Sequence, residues 1–201
     1  MAVRWSGAAP GSRVLDVCCG SGDLTFRAAE AAGPSGEVVG LDFAAEMLAD
    51  AAHREEVSQH RRRKSAPISW VQGDAMELPF EDGSFDAATM GYGLRNVTDK
   101  QQALAELHRV LRPGCRVAIL DFNNARARPA VAAFQGWCLD NVVVPVAHWK
   151  GVGPEYEYLR PSIQQFATGP EQEALALAAG FIKAVHYETG LGLMGVLVAQ
   201  A

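Results

Sequence analysis

Positive charge is not in excess in this sequence. Eighteen lysines and arginines stand against twenty-three aspartates and glutamates, a net charge of −5. A chain whose main partner is nucleic acid carries the opposite balance, so no nucleic-acid partner is expected. No apolar run reaches the length of about eighteen residues that a membrane-spanning helix needs. Cysteine is scarce as well: Cys18 and Cys19 are adjacent, Cys115 and Cys138 stand apart, and no Cys-x-x-Cys occurs. That usage reads as reduced thiols of an intracellular compartment rather than a disulfide framework. The five histidines show no i, i+4 pair, so no metal is expected. Internal repeats and low-complexity tracts are missing, and the first residues lack the pattern of a signal or transit peptide.

What is there is an ordinary globular composition, 49% apolar and 20% charged over 201 residues, enough for one domain spanning 1–201 with a sizeable core. The most informative stretch is Val14-Leu-Asp-Val-Cys-Cys-Gly-Ser-Gly-Asp-Leu24, where an apolar strand pattern runs into a glycine turn. Gly20 and Gly22 let a ligand approach the main chain. A dinucleotide fingerprint wants a third glycine where Thr25 stands. Asp23, at the opening of the next helix, repels a pyrophosphate and favours a cationic ligand such as S-adenosylmethionine. The second strand, Glu37 to Phe43, brings Asp42 to a position suited to ribose hydroxyls. The third, Ile68 to Ala75, carries Asp74 near its end. Asp16, Asp23, Asp42 and Asp74 are thus expected on one edge of a parallel sheet, where open α/β folds bind ligands.

Strand and helix patterns alternate: helices at Asp23–Ala32, Ala45–Gln59, Lys100–Leu111, Pro129–Val144 and Pro170–Ala179, and further strands at Phe85–Met90 and Arg116–Phe122. Two last strands, Ile182–Glu188 and Met194–Ala199, are joined by a short glycine-rich link and should pair antiparallel. His60 to Lys64 reads as an exposed basic turn, and Pro145 to Thr168 as the least regular segment.

The set Asp16-x-x-x-Gly20-x-Gly22, Asp42 and Asp74-Ala75 resembles the class I S-adenosylmethionine-dependent methyltransferases. That likeness implies an α/β fold with a seven-stranded, mostly parallel sheet ending in an antiparallel hairpin. The run Gly91-Tyr-Gly-Leu-Arg-Asn-Val97, followed by Thr-Asp-Lys100, is similar to the signature of the C-methyltransferases of ubiquinone and menaquinone biosynthesis. Gly136-Trp137, Asp140 to Pro145, Glu155 to Leu159 and Ser162-Ile163 look like the plastid branch, which methylates 2-phytyl-1,4-naphthoquinone in phylloquinone synthesis. The resemblance implies S-adenosyl-L-methionine as methyl donor, no metal, a prenylated (phytyl) naphthoquinol as substrate, peripheral membrane contact and a chloroplast location. Carried over by position, it implies cofactor contacts at Ser21 toward the methionine moiety, Asp42 toward the ribose, Asp74 toward the adenine amino group, and Ala75 and Gly91 beside them. Members of the family usually begin with a longer segment that covers the cofactor, and Met1 to Gly7 looks like an internal stretch of that pattern; the chain is expected to lack the cover.

Arg95 is the expected electrostatic catalyst and Asn96 an orienting hydrogen-bond donor; the competing expectation is that Arg95 pairs with Asp121. Arginine stays charged, so any proton it helps to move passes through water. His148, Tyr156 and Tyr158 are further site candidates, and Trp137 to Tyr158 is expected to form an apolar mouth facing a membrane. Two alternatives stay open: a benzoquinol C-methyltransferase of ubiquinone synthesis, and a non-catalytic methyltransferase-like scaffold.

Overall fold

In the computed structural model, residues 1–57, 64–126, 128–143, 145 and 159–201 are described. His148, Trp149, Tyr156, Tyr158 and most of the basic turn lie outside them. The elements run α1 (Ala2–Trp5), β1 (Arg13–Val17), α2 (Asp23–Ala32), β2 (Glu37–Asp42), α3 (Ala45–Val57), β3 (Ile68–Gln72), β4 (Phe85–Gly91), α4 (Lys100–Val110) and β5 (Leu111–Phe122). There follow α5 (Pro129–Cys138), a π-turn at Leu139–Val143, α6 (Leu159–Gln165), α7 (Gly169–Ala178), β6 (Lys183–Thr189) and β7 (Met194–Gln200).

Seven strands form one sheet in the order β3-β2-β1-β4-β5-β7-β6. β1 pairs in parallel with both β2 and β4, and β7 runs antiparallel between β5 and β6. The order reverses between β1 and β4, which opens a crevice at their carboxyl ends. Both faces are covered, so successive residues of one strand enter different cores. Leu15, Val17, Val39 and Leu41 pack with Leu104 and Leu107 of α4, whereas Val14, Val38 and Ala87 pack with Ala28, Ala29 and Ala32 of α2.

Helix bounds follow local chemistry. α2 opens with an acid that suits the helix N-terminus and stops at Gly33, whose N–H closes the last turn on Ala29 O at 3.0 Å and whose positive φ of 64° then turns the chain out of the helix. Asp99 caps α4 by accepting from Gln102 N at 3.0 Å, and Thr168 with Glu171 forms a capping box on α7. Several features depart from expectation; the helix expected over Pro129–Val144, for one, is α-helical only to Cys138 and continues in π geometry. β5 begins at Leu111 rather than Arg116, because Leu111 already pairs with Phe85 across an irregular register. The segment expected to be irregular contains α6, whose Leu159 and Ile163 pack with Leu139 and partly buried Phe122. Among the described residues no helix is long and apolar enough to cross a membrane.

Candidate functional site

The crevice between β1 and β4 widens into a cavity of about 970 Å³ at the carboxyl edge of the parallel strands. One half is polar: Gly20 follows β1, Asp42 ends β2, Asp74 and Ala75 follow β3, and Gly91 ends β4. The other half is apolar or aromatic, with Tyr92, Val97, Phe122 and Leu159 beside Arg95 and Asn96. Phe43 and Met47 form the outer lip.

Backbone strain concentrates here. Cys18, the first residue after β1, and Tyr92, the first after β4, hold left-handed φ values of 54° and 58°. Such conformations cost a side-chain-bearing residue about 1–3 kcal/mol each and persist only where surroundings enforce them. The enforcement is mutual. Tyr92 N–H donates to Leu120 O at 2.7 Å, and Gly93 lies so close to Cys18 that a Cβ there would stand 2.6 Å from the Cys18 Cβ. Burial, then the nearby Asp42, Asp16 and Asp74, push the Cys18 thiol up to about 12, so it stays protonated and unreactive at neutral pH.

Asp42 is the hinge of the polar half. Its Oδ2 accepts from Gly20 N at 2.7 Å and its Oδ1 from Ala44 N at 3.0 Å, fixing the carboxylate at the cavity wall. Asp74 is held likewise, its Oδ1 accepting from Met76 N at 2.8 Å. Two fixed acids beside bare glycine backbone fit a cationic nucleoside ligand bearing ribose hydroxyls and an amino group, which is the chemistry of S-adenosylmethionine. The volume leaves room for a second, apolar ligand in the other half.

Other residues singled out in the sequence do not line the cavity. Asp16 is fully buried on the far side of the strand, accepting from Thr25 Oγ1 at 2.6 Å and Thr89 Oγ1 at 2.7 Å; burial raises its carboxyl to about 6. It ties β1 to α2 and β4 rather than touching a ligand. Ser21 turns outward, where its Oγ accepts from Arg54 at 2.7 Å. Gly22 is bare because Trp70 and Phe26 fill the space a Cβ would occupy, the nearest indole atom 2.8 Å away. Asp23 is exposed and paired with Arg54, so its charge does not point at the ligand. Two of the four acids expected on the sheet edge therefore face the cavity.

Arg95 lines the cavity and also pairs with Asp121, Nη1 to Oδ1 at 2.6 Å, with side chains only 9% and 4% exposed. The same Nη1 donates to Tyr92 O at 2.9 Å, and the guanidinium lies over the Tyr92 and Phe122 rings. Burial pushes the Asp121 carboxyl up, while Arg95 and the Phe122 N–H, 2.8 Å away, pull it down. Arg95 Nε is buried and has no hydrogen-bond partner among the described residues, an unmet polar cost within the wall of the cavity. Asn96 Nδ2 donates to Tyr92 O at 3.2 Å from an exposed position on the rim. Sequence reasoning missed Phe43, Met47, Phe122 and Leu159 as lining residues and Arg54 behind the glycine loop. Only the two consecutive acid-aromatic strand ends, Asp42-Phe43 and Asp121-Phe122, offered a signal for any of them.

Comparison with known proteins agrees with this arrangement. Residues 1–200 match the model of the ubiE/COQ5 methyltransferase family. A 2-phytyl-1,4-naphtoquinone methyltransferase of Synechocystis is 56% identical, the match covering all of this chain and 82% of that protein. The chloroplastic 2-phytyl-1,4-beta-naphthoquinone methyltransferase of Arabidopsis thaliana is 55% identical over all of this chain and 76% of its own length. Among solved structures, a SAM-dependent methyltransferase from Aquifex aeolicus superposes with a TM-score of 0.69 at 19% identity, covering 98% of this chain and 86% of that one. Sheet order, cavity position and sequence converge: the chain belongs to the ubiE/COQ5 methyltransferase family and is an S-adenosylmethionine-dependent methyltransferase.

Proposed function

We propose that this enzyme methylates a ring carbon of a reduced, phytyl-bearing naphthoquinol, the last methylation of phylloquinone or menaquinone synthesis. The carrying observation is Arg95, a guanidinium that lines the same cavity as Asp42 and Asp74 and is held in place by Asp121. The names of relatives at 56% and 55% identity support the same substrate, and the chloroplastic one supports that location.

When bound, S-adenosylmethionine supplies a methyl group activated by a positively charged sulfur. Gly20, Asp42, Asp74 and Ala75 would hold it, and the protein's remaining task is placement. Holding two reactants in line can lower a barrier by about 7–11 kcal/mol. A quinol ring carbon is electron-rich only in the reduced form, most of all with one hydroxyl ionised. Arg95 offers a fixed positive charge to that oxygen, which favours the ionised form without proton transfer to the arginine. Asn96 orients the ring from the rim, and the departing ring proton passes to water beside Arg95.

The phytyl tail needs an apolar exit. α5 carries no charged residue, and its Phe134 and Trp137 rings stack 6.4 Å apart while both stay exposed. We assign this face to peripheral contact with the lipid that holds the substrate. Co-sedimentation with quinol-loaded liposomes tests it: loss of binding in Phe134→Ser/Trp137→Ser is expected, and full retention would remove the assignment.

Labelled methyl transfer to lipid extracts tests the reaction. Label in reduced phytyl-naphthoquinone alone, and not in its oxidised form or a matched benzoquinol, is the expected result. Label in the benzoquinol alone would move the substrate to the ubiquinone branch. Label in neither, with cofactor binding intact, would favour a scaffold.

A further inference from the structure

We propose that Arg54, on the last turn of α3, is a positioning residue that sets the cofactor affinity of the glycine loop from outside the cavity. The proposal rests on the reading that this loop holds S-adenosylmethionine.

The loop after β1 is closed by one internal bond, Gly22 N–H to Cys19 O at 2.9 Å, which leaves the Ser21 carbonyl to be held from elsewhere. Gly20 and Gly22 take positive φ values of 54° and 90°, and glycine explores such regions freely when nothing restrains it. From the cavity side the restraint is Asp42, which accepts the Gly20 N–H. From the opposite side it is Arg54. Its Nη1 donates to Ser21 O at 2.6 Å and to Ser21 Oγ at 2.7 Å, and its Nη2 donates to Asp23 Oδ1 at 2.7 Å. The guanidinium also lies 5.5 Å from the centre of the Phe26 ring.

These contacts differ in weight. Asp23 is 80% exposed and Arg54 40%, so their ion pair is screened and contributes little. The bond to the Ser21 carbonyl is different, because it fixes the peptide plane between the two glycines and hence the backbone surface that a ligand meets. An arginine fork can reach this carbonyl, the hydroxyl and Asp23 together, which a lysine ammonium cannot do with the same geometry. Arg54 is not among the residues that line the cavity, so its removal should loosen cofactor binding without altering the chemistry at saturation.

Calorimetry with S-adenosylhomocysteine, together with kcat and KM for S-adenosylmethionine, tests this on the full chain. Arg54→Ala should raise both Kd and KM about tenfold while kcat stays within about threefold, the signature of lost ground-state binding. Arg54→Lys should fall between, and Asp23→Asn should stay within about twofold of wild type. An Arg54→Ala protein with unchanged Kd, or with reduced kcat at unchanged KM, would overturn the proposal, as would an Asp23→Asn loss equal to that of Arg54→Ala. Should Arg54→Ala not fold, the other two variants decide: weaker binding in Arg54→Lys alone supports the clamp, and wild-type binding in Arg54→Lys removes it. A wild-type protein that takes up no S-adenosylhomocysteine would instead remove the cofactor reading and the clamp with it.

Discussion

Arg95 and Asp121 form a buried ion pair, 2.6 Å apart, that joins the segment after β4 to the end of β5 at the cavity wall. Asp121 also accepts the Arg95 backbone N–H at 3.2 Å, so one carboxylate holds both the main chain and the side chain of the arginine. Removing one partner of a buried pair leaves an uncompensated charge and costs about 3–5 kcal/mol. Asp121→Asn should therefore lower unfolding stability by that order in a urea titration. An unchanged midpoint would show that the pair does not support the fold.

Arg95→Ala should retain cofactor binding while turnover falls about 10²–10³-fold, the usual range for losing one preorganised electrostatic donor. Arg95→Lys should recover little, since an ammonium cannot hold Asp121 and present a second, fixed N–H to substrate. Steady-state kinetics on the quinol beside calorimetry on the cofactor separates the two effects.

Asp42→Asn tests the polar half. The native carboxylate accepts from Gly20 and Ala44 with its two oxygens, and an amide can accept with only one. The displaced contact and the lost charge should raise the Kd for S-adenosylmethionine about 10–100-fold. Calorimetry measures it, and a change below twofold would place the ribose elsewhere.

Asp16 gives a pH signature in stability rather than in catalysis. Its carboxyl is raised by burial from 3.8 to about 6, and the hydrogen bonds from Thr25 and Thr89 offset only part of that rise. Well below pH 3.8 the group is protonated both folded and unfolded. As pH climbs toward 6 the unfolded chain ionises first, so its stabilising contribution is lost, by about 3 kcal/mol in all. Asp16→Asn removes this titration. The stability of the variant relative to wild type should therefore rise between pH 4 and pH 7, and a difference that stays flat across that window would show that Asp16 does not titrate there.

These residues also show what the sequence could and could not reveal. Asp42 was legible because the apolar strand before it is bounded by Gly36 and ends where a crossover must begin. The same logic misplaced Asp16. It lies one residue short of the strand end, where the period-2 alternation turns its side chain toward two threonines nine and seventy-three positions away. No local pattern announces such partners. Arg54 escaped for a related reason: its contact depends on how α3 lies against the glycine loop thirty-three residues earlier. Gly91 to Val97 stood out as a motif, yet its left-handed Tyr92 and the carboxylate that anchors Arg95 are products of the fold.

Gly40→Ala probes the packing behind the loop. A Cβ at position 40 would stand 2.6 Å from the Trp70 ring, whose Nε1 is fixed by a 2.8 Å bond to Glu55. Overpacking of this kind costs about 1–3 kcal/mol, and Trp70→Leu in the same chain should recover part of it. Thermal unfolding of the two single variants and the double variant gives the coupling.

Trp70 presses on Gly22 and Gly40 at once, one in the loop and one in the neighbouring strand. The three positions are therefore a single choice rather than three. A smaller residue at 70 would relieve most of the crowding at position 40, leaving Cys19 Sγ at 3.2 Å, while position 22 would stay glycine for its φ of 90° and for the Phe26 ring 3.1 Å away. Of the glycines around this site, Gly40 records the bulk of an indole and not the approach of a ligand; a relative that has lost the indole has lost the main packing reason to keep that glycine.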